Sequence, residues 1–274
     1  MPDQDLLNEA IIRSAMDPSE AARLLGLEVY LTLDSTNQHL LAAIRQGSQG
    51  PRACLAEYQT AGRGRHGKVW LSPFASGLCL SLLWTFEGKP TYLPGLSLAV
   101  GVASAEVLEE CGVSGIRLKW PNDLYWSGRK LAGLLIDVVA RTEGPIHCVI
   151  GLGINIQVHV ATLEAVDQPW TDLATTGWRP LSRNHLAAAL LSGLLRAMRR
   201  FEAQGIEPFL DSWQKREMLT GRVLKIQLPG GQLIEGIGAG IDFNGALRVE
   251  TNQGVLCFTS GEITIRSQPS LDPC

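Results

Sequence analysis

Seven residues between two apolar runs combine positive charge with backbone freedom: the segment 62–68, GRGRHGK. Glycine allows backbone conformations that other residues avoid, and arginine presents a planar fork of donors that pairs with carboxylate or phosphate. The segment therefore has the composition of a loop that closes over an anionic ligand. A solvated basic turn would have the same composition, so the loop needs partners elsewhere in the chain before a site can be predicted.

Two nucleotide-binding motifs match this loop, and both fail on their context. The glycines at 62, 64 and 67 fit G-x-G-x-x-G, and the same segment fits G-x-x-x-x-G-K. Each motif requires a helix immediately after it, and the second also requires Ser or Thr where Val69 stands. Pro73, Gly77 and the alternating run 78–82 predict a strand instead. The loop is therefore predicted to be neither a dinucleotide fingerprint nor a P-loop.

Two lysines lie in predicted strands, where a charged side chain needs a partner or an exit to solvent. Lys119 lies between the apolar residues Leu118 and Trp120 of the predicted strand 116–120, and Lys130 begins the return strand of a predicted hairpin. Burying an ammonium group without a partner is costly, so such a lysine either reaches water or meets an anion. Together with Arg63 and Arg65, the two lysines could neutralise a carboxylate and a polyphosphate.

Hydrophobic periodicity predicts the elements that must position these cations. Strands are predicted at 28–33, 52–58, 78–82, 116–120, 130–139 and 146–156, and helices at 6–15, 18–25, 40–44, 96–111, 184–203 and 206–217. Beyond Gly221, five short runs between glycine turns predict a small antiparallel barrel: 223–228, 232–237, 246–250, 255–259 and 263–266. A domain boundary near Thr220 follows, which divides the chain into residues 1–219 and 220–274.

Length, composition and net charge restrict the class of protein. With 274 residues, 45% of them hydrophobic, and a formal net charge of -3, the chain has the composition of a globular protein with little overall attraction to nucleic acid. Its six cysteines include no C-x-x-C pair, and its acidic N-terminus is unlike a secretory signal, so we expect reduced thiols and a cytoplasmic location. The uncharged run 69–86 contains Pro73 and is not expected to span a membrane.

Five polar segments punctuate the predicted sheet. They are 34–38 (DSTNQ), 57–65 (EYQTAGRGR), 119–125 (KWPNDLY), 129–135 (RKLAGLL) and 151–155 (GLGIN). In these segments and in their order the chain resembles the biotin protein ligases from about Asp34 to Trp170, and the run 221–266 resembles the C-terminal domain of that family. The resemblance implies an α+β fold: a mixed sheet flanked by helices, similar to class II synthetases, followed by an SH3-like β-barrel.

The resemblance also implies a two-step reaction. Biotin and MgATP would form biotinyl-5′-AMP and pyrophosphate, and the adenylate would then acylate a lysine on the biotin carboxyl carrier domain of acetyl-CoA carboxylase or a related carboxylase. No metal ligands are assigned to named residues, although Asp123 could orient magnesium or accept the proton of the incoming lysine. Members of the family often dimerise, so this chain could form a homodimer.

Site residues follow from the resemblance, position by position. Biotin would contact Ser35, Thr36, Asn37, Gln59, Gly62, Arg63, Arg65, Lys130, Gly133 and Gly151. ATP and the adenylate would contact Arg63, Arg65, Lys119, Asn122, Lys130, Asn155 and Trp170. The catalytic residues would be Arg65, Lys119, Asp123 and Lys130. Helix capping is the structural alternative for Ser35 and Thr36, and core packing is the alternative for Trp170.

Two other functions stay open on the sequence. A lipoate protein ligase would share the fold and would also adenylate an acyl chain, although its arginine and glycine motif differs from 62–67. A biotin-responsive transcriptional regulator would need a DNA-binding domain, but about 27 residues precede the first predicted strand, and Arg13 and Arg23 are the basic residues of the first 44. We therefore expect no winged helix-turn-helix and no nucleic-acid partner. His66 stands where bifunctional members carry another arginine, which lowers the positive charge of the loop.

Overall fold

The structure, a computed structural model, describes residues 6–87, 93, 95–140, 144–158, 168–178, 182–227, 233–259 and 264–267. The α-helices in these ranges are α1 (Glu9–Ala15), α2 (Pro18–Arg23), α3 (Thr36–Arg45), α4 (Leu96–Glu110), α5 (Arg183–Gln204) and α6 (Leu210–Arg216). The strands of the first sheet are β1 (Gly26–Leu33), β2 (Arg52–Gln59), β3 (Gly77–Phe86), β4 (Ile116–Lys119), β5 (Asp123–Trp126), β6 (Arg129–Val139) and β7 (Ile146–Asn155). The strands of the second are β8 (Val223–Gln227), β9 (Leu233–Ile241), β10 (Leu247–Thr251), β11 (Gly254–Phe258) and β12 (Thr264–Ser267).

The first sheet is mixed and has helices on both faces. Its strand order is β1-β2-β3-β7-β6-β5-β4, with β1 and β2 parallel and the other neighbours antiparallel. Helices α4 and α5 cover one face and α3 packs on the other, so β3 at the centre is buried along nearly its whole length. Burial on both faces explains why β3 reads as a nearly continuous apolar run. The arrangement is the mixed sheet flanked by helices that the sequence predicts.

Helix α3 covers only part of its face of the sheet. Its residues Leu40 and Ile44 pack on Cys54, Leu83 and Val149, which belong to β2, β3 and β7. At its N-terminus, Thr36 and Asn37 contact other residues of the same three strands: Gln59 of β2, Ser81 of β3 and Gly151 of β7. A cavity lies on that part of the sheet face, and residues of all five polar segments line it.

Local differences from the predicted elements have local causes. The helix predicted at 40–44 begins at Thr36, because the Ser35 hydroxyl caps it by accepting a hydrogen bond from the Gln38 amide (3.5 Å). The helix predicted at 206–217 is interrupted, since Glu207–Phe209 forms a 3-10 turn that contains a proline, and α6 follows it. No described helix is both long enough and apolar enough to cross a bilayer.

The C-terminal strands form a separate antiparallel sheet in the order β11-β10-β9-β8-β12. The chain reaches this sheet through a segment that hydrogen-bonds to both sheets: Met218 N donates to Leu118 O (3.1 Å), and Gly221 N donates to Gly238 O (2.8 Å). The predicted boundary between residues 219 and 220 falls in this segment and stays a prediction. Three ends of predicted strands lie outside the described residues: Leu228, Gln232 and Ile263.

Candidate active site

A cavity of about 230 Å³ lies on the α3 face of the first sheet, between the N-terminus of α3 and the loop 62–71. Antiparallel register places the residues of its floor side by side. Cys79 of β3 pairs with Gly153 of β7, which pairs with Gly133 of β6, and Gly151 occupies the equivalent β7 position in the next row. The floor therefore contains strand positions without side chains, where other groups can approach the backbone closely.

Side chains from other elements occupy the space above two of these glycines. A methyl group added at Gly151 would collide with the Asn37 amide, and one added at Gly153 would collide with the Trp70 indole. Both positions are thus glycine because the α3 N-terminus and the loop reach over them. A methyl group at Gly133 would lie 3.2 Å from Cε of Lys130, which leaves this position tight rather than blocked.

Uncharged polar groups line the end of the cavity next to α3. Thr36 N donates to Gln59 Oε1 (2.8 Å), and Thr36 Oγ1 lies 3.1 Å from the same oxygen and 2.7 Å from Ser81 Oγ. Ser35, Thr36 and Asn37 are buried, with exposed fractions of 2%, 3% and 4%. Buried polar groups stay hydrogen-bonded, so these donors and acceptors are held in fixed directions. This end of the cavity suits the uncharged polar head of a ligand.

Cations gather at the opposite end. Lys130 Nζ lies 2.8 Å from Asp123 Oδ1, and Lys119 Nζ lies 3.4 Å from the Tyr125 hydroxyl. Burial lowers the pKa of the Lys119 ammonium, and the charges of Lys130 and Lys68 lower it further, whereas Asp123 acts in the opposite direction. Burial and the Asp123 carboxylate both raise the pKa of the Tyr125 hydroxyl. Two ammonium groups that line one cavity favour the binding of an additional anion.

Arg65 carries the glycine-rich loop to this cationic end. Its guanidinium NH1 donates to Asn122 Oδ1 (3.3 Å), and Asn122 Nδ2 in turn donates to Leu134 O (2.7 Å), which fixes the orientation of the amide. Burial lowers the pKa of Arg65, and the Asp123 carboxylate opposes that shift. Arg63 also lines the cavity but is exposed to solvent. Arg65 is therefore the arginine of the loop that is partly buried inside the site.

The loop itself is folded by short-range hydrogen bonds. Gly64 N donates to Lys68 O (2.7 Å), and Trp70 N donates to Gly62 O (3.0 Å). His66 adopts a left-handed conformation, with φ 54° and ψ 35°, which residues with a β-carbon rarely occupy. These turns bring the Trp70 indole onto the cavity floor, where Lys130 Nζ lies 5.9 Å from its ring centroid.

Trp170 and Asn155 reach the cavity beside Lys130. Lys130 N donates to Pro169 O (3.0 Å), and Thr171 N donates to Lys130 O (2.9 Å), so the segment that carries Trp170 is held against β6. Asn155 Nδ2 donates to Thr171 O (3.0 Å). The Trp170 side chain is half-buried and lines the cavity, which leaves part of its surface available to a ligand.

The structure brings together nearly all of the residues that the sequence predicts for one site. Those that line the cavity are Ser35, Thr36, Asn37, Gln59, Arg63, Arg65, Lys119, Asn122, Asp123, Lys130, Gly133, Gly151, Asn155 and Trp170. Gly62 is the exception: it is buried against the Trp70 carbonyl and is not part of the lining. The individual roles of these residues toward biotin, ATP or the reacting groups stay predictions.

Three side chains that shape the site were not predicted: Trp70, Ser81 and Asp137. Trp70 follows the basic loop directly, and Ser81 is a hydroxyl in an otherwise apolar strand, so both left a usable signal in the sequence. Asp137 accepts a hydrogen bond from Asn37 Nδ2 (2.9 Å), a contact across 100 residues that no local pattern marks. Within the described ranges, no group of three or more His, Cys, Asp or Glu residues is placed to hold a metal ion.

Comparison with known protein families matches most of the chain. The biotin/lipoate A/B protein ligase family matches residues 29–155, and the biotin protein ligase C-terminal domain matches residues 221–266. The bifunctional ligase/repressor BirA of Escherichia coli (strain K12) is 41% identical over 262 residues, which are 96% of this chain and 79% of that protein. The biotin–[acetyl-CoA-carboxylase] ligase of Mycobacterium tuberculosis is 33% identical over 86% of this chain and 88% of that protein.

A solved structure has the same fold. The biotin protein ligase from Aquifex aeolicus in complex with biotin and ATP matches with a TM-score of 0.75 and 27% sequence identity. The match covers 89% of this chain and 100% of that one. The predicted fold class, a helix-flanked mixed sheet followed by an antiparallel C-terminal unit, is confirmed by this likeness and by the match to the C-terminal domain family.

Proposed function

The chain belongs to the biotin protein ligase family, and we propose that it attaches biotin to a lysine of the biotin carboxyl carrier domain of a carboxylase, using ATP and a biotinyl-5′-AMP intermediate. The observation that carries this proposal is the polarity of the cavity. Uncharged groups of Thr36 and Gln59 line one end, and Arg65, Lys119 and Lys130 line the other. Such a cavity suits an acid with an uncharged polar ring whose carboxylate meets a phosphate at the cationic end.

Two relatives support the choice of substrates. The Mycobacterium tuberculosis relative is named for the transfer of biotin to acetyl-CoA carboxylase, and the Aquifex aeolicus relative is bound to biotin and ATP. We assign the ring of biotin to the α3 end of the cavity and its carboxylate to the cationic end. The proposed biotin contacts are the predicted residues that line the cavity: Ser35, Thr36, Asn37, Gln59, Arg63, Arg65, Lys130, Gly133 and Gly151.

In the first step, a carboxylate oxygen of biotin attacks the α-phosphorus of ATP. The bond from that phosphorus to the bridging oxygen breaks, and pyrophosphate leaves with the electron pair. Two anions have to approach each other, so the barrier falls where fixed cations face the charge that develops. Arg65, Lys119 and Lys130 supply those cations in this proposal, and the nucleotide contacts are completed by Arg63, Asn122, Asn155 and Trp170.

Magnesium would enter this site together with ATP. Asp123 is a carboxylate of the lining, but its Oδ1 already lies 2.8 Å from Lys130 Nζ. Magnesium in nucleotide sites commonly keeps several waters and takes most other ligands from phosphates, with one or two protein carboxylates. The residues present therefore fit a magnesium ion held mainly by the triphosphate, with Asp123 as a candidate protein ligand.

In the second step, the amine nitrogen of the carrier lysine attacks the carbonyl carbon of the adenylate. An amide forms, the bond to the phosphate oxygen breaks, and AMP leaves. The attacking amine has to lose a proton, and Asp123 is the carboxylate that we assign to accept it. Water would hydrolyse the mixed anhydride, so we assign to the loop 62–68 the further task of excluding it.

We extend the proposal to the partner, the assembly and the domain division. The carrier domain is that of acetyl-CoA carboxylase or a related carboxylase, as the name of the Mycobacterium tuberculosis relative suggests. The chain is proposed to form a homodimer and to divide into domains 1–219 and 220–274, the second containing the match at 221–266. The cytoplasm, where ATP and acetyl-CoA carboxylase meet, is the proposed compartment.

Pyrophosphate release tests the proposal. The purified chain should release pyrophosphate when biotin, ATP and magnesium are present, and should transfer biotin to an isolated apo carrier domain, as detected by mass spectrometry. Lipoate in place of biotin tests the lipoate ligase alternative. Turnover with lipoate but not biotin would overturn the assignment of the ring. Biotin binding without pyrophosphate release would identify a ligand-responsive regulator instead of an enzyme.

A further inference from the structure

A hydrogen-bonded chain of side chains runs from the carboxylate of Asp137 to the polar end of the cavity. Asn37 Nδ2 donates to Asp137 Oδ2 (2.9 Å) and to Leu135 O (3.3 Å). Both partners are acceptors, so they determine which end of the Asn37 amide faces them. The oxygen Oδ1 of Asn37 consequently faces Ser81, whose Oγ lies 2.5 Å away. Neither Ser81 nor Asp137 is among the residues that line the cavity.

Counting protons along this chain assigns the direction of each hydroxyl group. Asn37 Oδ1 is only an acceptor, so the single hydroxyl proton of Ser81 is donated to it. Ser81 Oγ then has lone pairs but no proton for Thr36 Oγ1, which lies 2.7 Å away. Thr36 has to donate across this contact, because two oxygen atoms at 2.7 Å without a proton between them would repel each other.

The other neighbour of the Thr36 hydroxyl, Gln59 Oε1, is a competing acceptor at a longer distance. Gln59 Oε1 already accepts from Thr36 N at 2.8 Å, and its distance to Thr36 Oγ1 is longer, at 3.1 Å. Thr36 therefore donates its hydroxyl proton to Ser81 Oγ, the nearer of the two oxygens. Thr36 Oγ1 then presents a lone pair toward the cavity. Its direction is fixed because Ser81, Thr36 and Asn37 are all buried, with exposed fractions of 0% to 4%.

We propose that Asp137 and Ser81 are positioning residues that, through Asn37, hold the Thr36 hydroxyl as a hydrogen-bond acceptor toward the ligand. The site then selects an acid whose ring presents an N–H donor, as a cyclic urea does, over an acid whose ring has none, as in a cyclic disulfide. This inference rests on the proposed function and deepens it, since it names the groups that decide ring specificity. A site committed to accepting a hydrogen bond rejects a ligand that offers only an acceptor there.

The test compares biotin with two isosteric cyclic carbamates, in each of which one ring N–H is replaced by oxygen. Dissociation constants are measured by calorimetry without ATP, so that binding is separated from turnover. The unaltered chain should bind one of the two carbamates about 10- to 100-fold more weakly than biotin, the range expected for a lost hydrogen bond that leaves two acceptors opposed. In Ser81→Ala the Thr36 hydroxyl can rotate and donate to the ring oxygen of the carbamate. The ratio of the dissociation constants of this carbamate and of biotin should therefore fall to about 3-fold or less.

Matched variants separate positioning from general damage to the fold. Asp137→Asn can still offer an amide oxygen to Asn37 and should keep the unaltered ratio, whereas Asp137→Leu offers no acceptor and should lower it. Ser104→Ala removes another fully buried serine, whose hydroxyl donates to Val100 O inside α4 (2.8 Å), and should leave the ratio unchanged. The Asp137 pair keeps the test valid if Ser81→Ala does not fold.

Different results would overturn the proposed function and the positioning role of Ser81 and Asp137. If the unaltered chain does not bind biotin, the proposed function is overturned. If it binds biotin but treats both carbamates like biotin, or if Ser81→Ala and Asp137→Leu retain the full ratio, the positioning chain is overturned while the proposed function stands. Equal weakening of all three ligands in these variants would also overturn it, because that result indicates a purely structural role.

Discussion

The Trp120 indole nitrogen donates a hydrogen bond of 2.9 Å to the carbonyl oxygen of Gly245, in the turn between β9 and β10. On the other side of Lys119, the Leu118 carbonyl accepts a hydrogen bond of 3.1 Å from Met218 N, at the entry to the C-terminal sheet. Lys119 therefore stands between two residues that are tied to the C-terminal part of the chain. The second sheet thus helps to hold a cation of the cavity in place.

Trp120→Phe tests whether the hydrogen bond from Trp120 to the Gly245 carbonyl matters for turnover. The substitution removes the indole N–H, keeps most of the aromatic packing and leaves the Gly245 carbonyl without its partner. We expect the rate of pyrophosphate release to fall on the order of tenfold, with a smaller change in the KM for biotin. Trp126→Phe is the matched control, because its indole nitrogen also donates to a backbone carbonyl, that of Ser114 (3.0 Å), away from the cavity. Equal rates in both variants would contradict the prediction.

Lys130→Ala tests the cationic end of the cavity. Lys130 Nζ lies 2.8 Å from Asp123 Oδ1, and its loss removes a positive charge from the place where the pentavalent phosphate would form. We expect pyrophosphate release to fall by about 10²- to 10³-fold in a chain that still folds, with a lower melting temperature because Asp123 loses its ion-pair partner. Lys225→Ala breaks an exposed pair with Glu235 (3.1 Å) and should keep normal turnover. Normal turnover in Lys130→Ala would show that the charge lies elsewhere.

Lys119→Met tests the pH dependence of stability. Burial lowers the pKa of Lys119 from its ordinary value of 10.5, with Lys130 and Lys68 adding to the shift and Asp123 opposing it. Between the lowered pKa and 10.5 the unfolded chain binds more protons than the folded one, so this group makes the native state more stable as the pH rises through that window.

The variant has no ammonium group, so its native state is not destabilised by the burial of that charge. Lys119→Met should therefore melt above the unaltered chain at pH 7, on the order of 2 °C higher, and the difference should shrink toward zero as the pH approaches the ordinary lysine pKa. Thermal melts at neutral and alkaline pH provide the comparison. A difference that grows with pH would be the wrong sign and would refute the account. Turnover should be lost at every pH.

Arg65→Gly tests the loop as a barrier to water. The substitution removes the hydrogen bond from the guanidinium to Asn122 Oδ1 (3.3 Å) that ties the loop to the β4–β5 turn. We expect a folded enzyme that releases biotinyl-5′-AMP and labels lysines of unrelated proteins added to the reaction. Arg129→Gly replaces an exposed arginine outside the loop and should retain the adenylate. Retention by both variants, measured with radiolabelled ATP and gel filtration, would exclude this role for the loop.

Local information in the sequence was enough for most elements and for the residues of the site. Strand and helix periods depend on neighbouring residues, so α4, α5 and the strands of both sheets could be predicted from spacing alone. Residue types marked the candidate cations, because a lysine in an apolar strand has to reach water or meet an anion. The prediction that Arg65, Lys119 and Lys130 share one site came from the resemblance to the biotin protein ligases, and all three line the cavity.

The tertiary structure decided which of these residues meet. The register of β3, β7 and β6 places Gly151 under Asn37 and Gly153 under Trp70, which explains why those strand positions carry no side chain. Contacts such as Asn37 to Asp137, across 100 residues, and Trp120 to Gly245, across 125, have no local signature. They exist only because packing brings distant segments within hydrogen-bond distance. The sequence by itself therefore determined the family, the elements and the charges, whereas the directions of the hydroxyl groups and the tie to the second sheet followed from the assembled fold.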